Sequence, residues 1–367
     1  MLKHKFIIER LSEAQKIKIL TDVRCLESDE YARLGVPTFK LSYVEGYKRE
    51  LYPSPASLAN SWNKKVISEV ASDIAVGMSV DGASTVVVPS PVAKLNLNDI
   101  ATTEDPYLSS KLTEEYLLAI GKTGMGVVVD GAYFDANDVS RLDKTVDERL
   151  INEFVIRPFK KATENKKCNG FAVSSDIDVR NYETVNTEIS DKVSEAVAGS
   201  YVLCNNIIPE DTVARIVKGH ICLDGSELVL KAATDRYKRL KNEISKGKVS
   251  ACELDAEIEN GSAFPPEKID EAVDRVLEFA FDCAKDYKGK LSSYTPSATV
   301  VKNASYESTV LLKNKNGILP IKTGTVVGLV GDIIVNYNGE ETDNSDKAND
   351  LAYYMRNQGC VASGFLR

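Results

Sequence analysis

The sequence predicts an α/β protein built around a parallel sheet or barrel. Short apolar runs of strand-forming residues recur through the first two-thirds of the chain, and they end at polar or glycine positions. Segments with apolar residues at helical spacing lie between these runs. Strands that alternate with helices, and that are apolar on both faces, are typical of parallel sheets covered by helices.

Each element has a local signal in the sequence. The predicted strands are short and apolar: Phe39–Ser42, Ser84–Val88, Gly126–Val129, Gly170–Val173, Tyr201–Leu203 and His220–Leu223. The predicted helices between them have apolar residues every three or four positions: Leu11–Leu20, Ser57–Ala75, Tyr107–Gly121, Val146–Ala162, Ile189–Val197 and Glu210–Val217. A charged helical region, Lys231–Tyr287, follows, and the pair Pro265-Pro266 marks a helix start within it.

The chain of 367 residues corresponds to about two domains, or to one large barrel with an appendage. The polar segment 288–296 reads as a linker between a first domain, 1–287, and a second, 297–367. The second contains a predicted helix that ends near Asn314, a strand Thr325–Val330, a helix Lys347–Asn357 and a short run, Cys360–Ala362. These elements are too few for an independent α/β domain, so we expect the second unit to be incomplete.

Charge and composition exclude several classes of function. The 46 basic and 54 acidic residues give a formal charge of −8, which disfavours nucleic acid as a partner. No apolar run reaches the ~18 residues of a membrane helix, and the N-terminus is charged too early for a signal peptide, so we expect a cytoplasmic protein without a membrane partner.

The cysteines and histidines limit the chemistry further. The seven cysteines are odd in number, scattered and never spaced C-x-x-C, as expected of reduced thiols. His4 and His220 are the only histidines, and two are too few for a histidine-rich metal site and leave few choices for a histidine-based triad. We expect no metal and no cofactor.

Carboxylates follow several predicted strands. Asp130, Asp176 and Asp224 each come after a strand, and Glu45 follows another. Barrel enzymes assemble their chemistry at the carboxyl ends of strands. The same positions also suit carboxylates that cap strand ends and hold loops. Position alone leaves both interpretations open.

Six motifs occur in a fixed order along nearly the whole chain: Leu11–Leu20 with Arg33–Pro37, the segment Tyr52–Asn63 around Trp62, the box Glu104-Asp-Pro-Tyr-Leu108, Val146–Arg149 with Pro158-Phe159, Val310–Asn314, and Gly317–Pro320. In this order they resemble the family 3 glycoside hydrolases, which include β-glucosidases. The resemblance implies a (β/α)8-type (TIM-like) barrel, complete or incomplete, followed by a truncated α/β sandwich-type piece. It also implies a role in carbohydrate metabolism, with Tyr43, Glu45, Trp62 and Asn98 as substrate-binding candidates.

The chain departs from the family at the residues that grip the sugar. Tyr43 stands where the resemblance implies an aspartate that binds sugar hydroxyls. The loop Lys94–Thr103 has no arginine where the family has one that contacts the sugar. A lysine-histidine pair of the family corresponds to Val129-Asp130, to within one position.

The nucleophile is also replaced. The family's aspartate in a segment of the form VVSDW corresponds to Asn205 in the run Val202–Asn206. A retaining glycosidase needs a carboxylate nucleophile and a second carboxyl group that protonates the leaving oxygen. In many members the second group, a glutamate, lies further along the sandwich domain, at a position beyond Arg367.

Two functional interpretations follow. The first is a family 3-like protein without glycosidase activity that binds or scaffolds, with a carbohydrate ligand. The alternative is a working glycosidase that uses Asp130, Asp176 and Asp224 as relocated carboxylates. The incomplete second unit would leave strand edges and apolar helix faces uncovered, so we expect a homodimer or a partner chain that completes this unit.

Overall fold

The computed structural model describes residues 2–44, 46–48, 51–91, 103–131, 148–164, 167–174, 192, 201–205, 207, 209–330 and 361–366. The chain forms two compact units, Met1–Thr309 and Val310–Arg367. Two predicted helices, Ile189–Val197 and Lys347–Asn357, lie outside these ranges, apart from the single residue 192.

The first unit is built on a six-stranded parallel sheet. Its strands, in spatial order and in chain order alike, are β1 (Leu41–Tyr43), β2 (Thr85–Val88), β3 (Gly126–Asp130), β4 (Gly170–Ser174), β5 (Tyr201–Asn205) and β6 (Ile221–Cys222). All six predicted strands are confirmed, with ends that differ by no more than two residues.

The burial of the strands explains why short apolar runs in the sequence predict them. Every residue of β2 is buried, and in β3 Val127, Val128 and Val129 have no exposed surface. Both faces of these strands are therefore shielded from solvent, and β-branched side chains fill the space on either side of them. Parallel strands whose spatial order follows the chain are typical of a βα-barrel. The described strands form six of the eight that a complete (β/α)8 barrel would have.

Helices surround the sheet. They are α1 (Lys5–Ile8), α2 (Glu13–Thr21), α3 (Asp29–Ala32), α4 (Pro55–Ala59), α5 (Lys64–Val80), α6 (Pro106–Lys122), α7 (Arg157–Thr163), α8 (Thr212–Val217), α9 (Glu227–Ser245), α10 (Ala251–Glu259), α11 (Pro266–Ala284) and α12 (Ala298–Ser308). A helical turn, Glu148–Leu150, and a π-helical stretch, Ile151–Ile156, lead into α7. Short 3₁₀ turns lie at Val23–Glu27, Pro209–Asp211 and Lys315–Gly317.

One predicted helix, Ser57–Ala75, is wrong as a single element, because the chain forms α4 and α5 there with a break between them. Trp62 has φ 51°, in the left-handed region that an α-helix does not contain. Asn63 then starts α5, because its side chain accepts a hydrogen bond from the backbone N–H of Lys65 at 3.1 Å.

The helix α12 belongs to the first unit and ends at Ser308, earlier than the predicted end near Asn314. It packs against α4 and α5. At its start, the backbone N–H of Ser297 donates to Asp73 of α5 at 3.0 Å, and the Tyr52 hydroxyl donates to the same carboxylate oxygen at 2.8 Å. The compact first unit therefore extends past the segment 288–296.

The second unit contains the parallel pair β7 (Val326–Val330) and β8 (Val361–Leu366). The strand predicted at Thr325–Val330 is confirmed. Of the predicted run Cys360–Ala362, the last two residues open β8, and Cys360 lies outside the described residues. A sandwich-type domain remains a prediction for this part of the chain. Across both units, no described helix is long and apolar enough to span a bilayer.

We predict that Gly170→Ala destabilises the fold. A Cβ at Gly170, at the start of β4, would overlap the carbonyl oxygen of Tyr201 on β5 and lie 3.1 Å from a methyl carbon of Leu203. Overpacking of this kind costs about 1–3 kcal/mol of unfolding free energy. Gly121→Ala is the control, because a Cβ there meets only Lys167, at 3.9 Å. Urea unfolding should show the loss in the first variant alone; equal midpoints would contradict the packing described.

Candidate functional site

Polar side chains gather at the carboxyl edge of the sheet. Tyr43, Asp130 and Asn205 are the last residues of β1, β3 and β5, and Asp224 comes two positions after β6. All strands are parallel, so these ends lie at one edge. The candidates Glu45, Asn98 and Asp176 lie outside the described residues.

Tyr43 and Asn205 contact each other across this edge. Burial raises the pKa of the Tyr43 hydroxyl, the negative charge of Asp130 raises it further, and a hydrogen bond with the Asn205 side chain lowers it. The two positions that the sequence resemblance matches to a nucleophile and to a sugar-binding aspartate therefore lie together.

This contact shows that the sheet is curled. In a flat sheet, β1 and β5 would lie four strand spacings apart, roughly 19 Å. Tyr43 and Asn205 could not share a hydrogen bond at that distance. The sheet therefore bends around the space above its core, as in part of a barrel wall.

A cation also lies at this edge. The Arg24 guanidinium, in the turn before β1, donates from Nε to Asp22 Oδ1 at 2.8 Å and from Nη2 to Oδ2 at 3.2 Å. This hydrogen bonding raises the pKa of Arg24, and Asp224 and Tyr43 contribute as nearby groups. Arg24 and Asp22 were not predicted as site residues, because neither follows a strand and no motif contains them.

Asp224 has a structural contact of its own. Its Oδ1 accepts a hydrogen bond from the backbone N–H of Ile207 at 3.2 Å. The bond ties the segment after β5 to the segment after β6. This is the loop-holding role that strand-end carboxylates often have.

Trp62 lies in the break between α4 and α5 and is 72% exposed, so its ring faces solvent. Among the residues that the structure describes, no group of three or more histidine, cysteine or acidic side chains could hold a metal ion.

Buried packing fixes β5 on its other face. Cys204 and Cys222 are register partners on β5 and β6, and the Cys204 sulfur lies 3.4 Å from Nδ1 of His220. Burial raises the pKa of the Cys204 thiol to about 12, so this thiol is unreactive. Successive strand residues face opposite sides, so this packing orients Asn205 towards Tyr43.

The six described cysteines are all free thiols.

No family model matches the chain. A curated relative, the thermostable β-glucosidase B of Acetivibrio thermocellus, is 24% identical over 90% of this chain and 44% of its own length. The solved β-glucosidase 3B of Thermotoga neapolitana, in complex with α-D-glucose, superposes with a TM-score of 0.63 at 21% identity, over 98% of this chain and 55% of its own.

A second structure gives the same result. The GH3 β-glucosidase of Bifidobacterium adolescentis has a TM-score of 0.64 at 15% identity, over 97% of this chain and 52% of its own. The chain thus spans about half the length of the relatives it matches. The resemblance that the motifs predict, to the β-glucosidases of glycoside hydrolase family 3, is confirmed along about 90% of the chain.

We predict that His220 makes the fold sensitive to acid. Burial, and then the positive charges of Arg215, Lys218 and Arg275, lower the pKa of His220 from 6.5 to about 4. The unfolded chain therefore takes up a proton first as the pH falls, and about 2 kcal/mol of stability should be lost between pH 7 and 5.

Chemical unfolding at both pH values measures this loss. In His220→Asn, the loss of unfolding free energy between pH 7 and 5 should be smaller by about that amount. His4→Asn removes the other histidine and is the control, because the contribution of His220 to this loss should remain. An unchanged pH dependence in His220→Asn would contradict the assignment.

Proposed function

We propose that this divergent relative of the GH3 β-glucosidases binds a carbohydrate at the carboxyl edge of its sheet without hydrolysing it. The observation that carries the proposal is the contact between Asn205 and Tyr43. It engages the two positions at which the family resemblance implies a nucleophile and a sugar-gripping aspartate.

The chemistry of an amide supports the absence of hydrolysis. A retaining mechanism needs a carboxylate to attack the anomeric carbon. The Asn205 amide is neutral, is a poor nucleophile, and cannot stabilise a developing positive charge as a carboxylate does.

The same groups suit a sugar as a ligand. Sugar hydroxyls both donate and accept, and the edge offers a phenol, an amide, the carboxylate of Asp130 and the Arg24–Asp22 pair. Polar groups that converge at the mouth of a barrel-like sheet are the usual form of a small-molecule site. The structure of the Thermotoga neapolitana relative in complex with glucose gives the class of ligand to test first.

A working glycosidase is the second candidate. Asp130 and Asp224 both raise the pKa of Tyr43, so both carboxylates lie near this tyrosine. A retaining enzyme needs two carboxyl groups about 5–5.5 Å apart. A catalytic role for Asp224 is less favoured, because its carboxylate already accepts a hydrogen bond from the backbone N–H of Ile207. Asp176 stays a candidate by sequence alone.

We predict that glucose binds and that Tyr43→Ala weakens binding at least fivefold, because one wall of the site is removed. Isothermal titration measures this directly. Tyr306→Ala is the matched control, since Tyr306 lies on α12 and is 68% exposed. No binding by the wild type, or equal binding by Tyr43→Ala, would contradict the site.

We predict no turnover of aryl β-glucosides, β-xylosides or N-acetylglucosaminides, and none in Asn205→Asp. The substitution restores one carboxylate, but it supplies no acid for the leaving group and no residues to orient the sugar. Robust turnover by the wild type that disappears in Asp130→Asn, but not in Asp81→Asn at the end of α5, would instead establish the second candidate.

The oligomeric state of the protein and its location in the cell stay predictions. Association with a second copy, or with a chain that completes the second unit, is supported by exposed apolar side chains such as Leu311, Leu312 and Ile318. A cytoplasmic location and the absence of a nucleic-acid partner rest on the sequence.

A further inference from the structure

A groove lies in the helical layer of the first unit. It has a volume of about 860 Å³ and runs between the first turns of α6 and the helical segment 153–164. Pro106, Tyr107 and Ser110 form one wall. The volume is in the range of small-molecule sites. The groove is formed by helices, whereas the candidate site described above is formed by strand ends.

The opposite wall is positively charged, although the chain as a whole is acidic. Arg157, Lys160 and Lys161 of α7 line it and are exposed. Their spacing of three and four residues places them on adjoining faces of one helix. Three cations within a single groove attract a negatively charged ligand.

The groove's two carboxylates are already engaged. Glu164 pairs with Lys161 at 2.9 Å, and Glu153 pairs with Arg149 at 3.0 Å. These ion pairs offset the negative charge that would repel an anion. Arg157 and Lys160 add positive charge beyond the pairs, and an arginine presents a planar fork that fits a carboxylate or phosphate.

The α6 wall supplies a surface of a different kind. Tyr107 is 67% exposed, with an apolar ring and a polar hydroxyl. The Lys111 ammonium lies 5.9 Å from the ring centroid, at the outer limit of a cation–π contact. An aromatic ring that is open to this extent can stack against the C–H face of a pyranose.

We propose that this groove binds an anionic saccharide, with its carboxylate or phosphate at Arg157 and Lys160 and its sugar ring against Tyr107. A stable protein interface takes about 20–30 residues from each partner, whereas ten residues line this groove. A small charged ligand is therefore favoured over an acidic protein. The inference is independent of glucose binding at the strand ends.

Titration calorimetry at low salt tests the proposal, with trigalacturonate, glucose 6-phosphate and neutral cellotriose as probes. At least one anionic sugar should bind ten times more tightly than cellotriose. The two anionic probes distinguish a carboxylate ligand from a phosphate ligand.

Variants locate the binding. The double variant Arg157→Glu/Lys160→Glu should weaken binding at least tenfold. If this variant folds poorly, the single variant Lys160→Glu, at an exposed residue, should also weaken binding. Tyr107→Ala should also weaken it. Lys231→Glu/Lys246→Glu makes the same change in net charge at exposed residues outside the groove and should leave binding intact. Tyr43→Ala should leave it intact too.

Several results would overturn the proposal. These are no binding of either anionic sugar by the wild type, equal losses in the groove and control double variants, or tighter binding of a polyglutamate peptide than of any saccharide. Loss of anionic-sugar binding in Tyr43→Ala would show that the sugar binds at the strand ends and not in the groove.

Discussion

The parallel pairing of six strands in chain order is the constraint on which the site depends. Because each strand pairs with the next, every strand end faces the same edge, and the curl of the sheet brings the ends of β1 and β5 together. The hydrogen bond between Tyr43 and Asn205 exists only because of that curl. Buried valines in β2 and β3 stabilise the sheet, so the site is a consequence of core packing.

The two residues at this contact are best understood as a pair. An aspartate at position 205 would add a carboxylate to the edge that already holds Asp130, and it would have no N–H to donate. An aspartate at position 43 would place a further negative charge at the same edge. The phenol and the amide instead lie together at this edge without adding a charge to it.

Sequence alone predicted the strands and the positions of Tyr43 and Asn205, because apolar runs and ordered motifs are local signals. It did not predict that these side chains touch, which depends on the curl of the sheet. Arg24 was missed because it lies in a turn before β1. The break at Trp62 was missed because helical periodicity continues through it, whereas backbone φ decides. The charged groove depends on how α6 and α7 pack, which no local pattern encodes.

The pKa of Tyr43 is the most direct test of the central claim that Asn205 and this tyrosine are hydrogen-bonded across the strand ends. Carbon-13 labelling at tyrosine Cζ follows each phenol by NMR, and Tyr43→Phe assigns the signal. The account predicts that Tyr43 titrates above the ordinary tyrosine value, and higher still in Asn205→Ala, because the bond that stabilises the phenolate is lost. An ordinary pKa in the wild type, or no rise in Asn205→Ala, would contradict it.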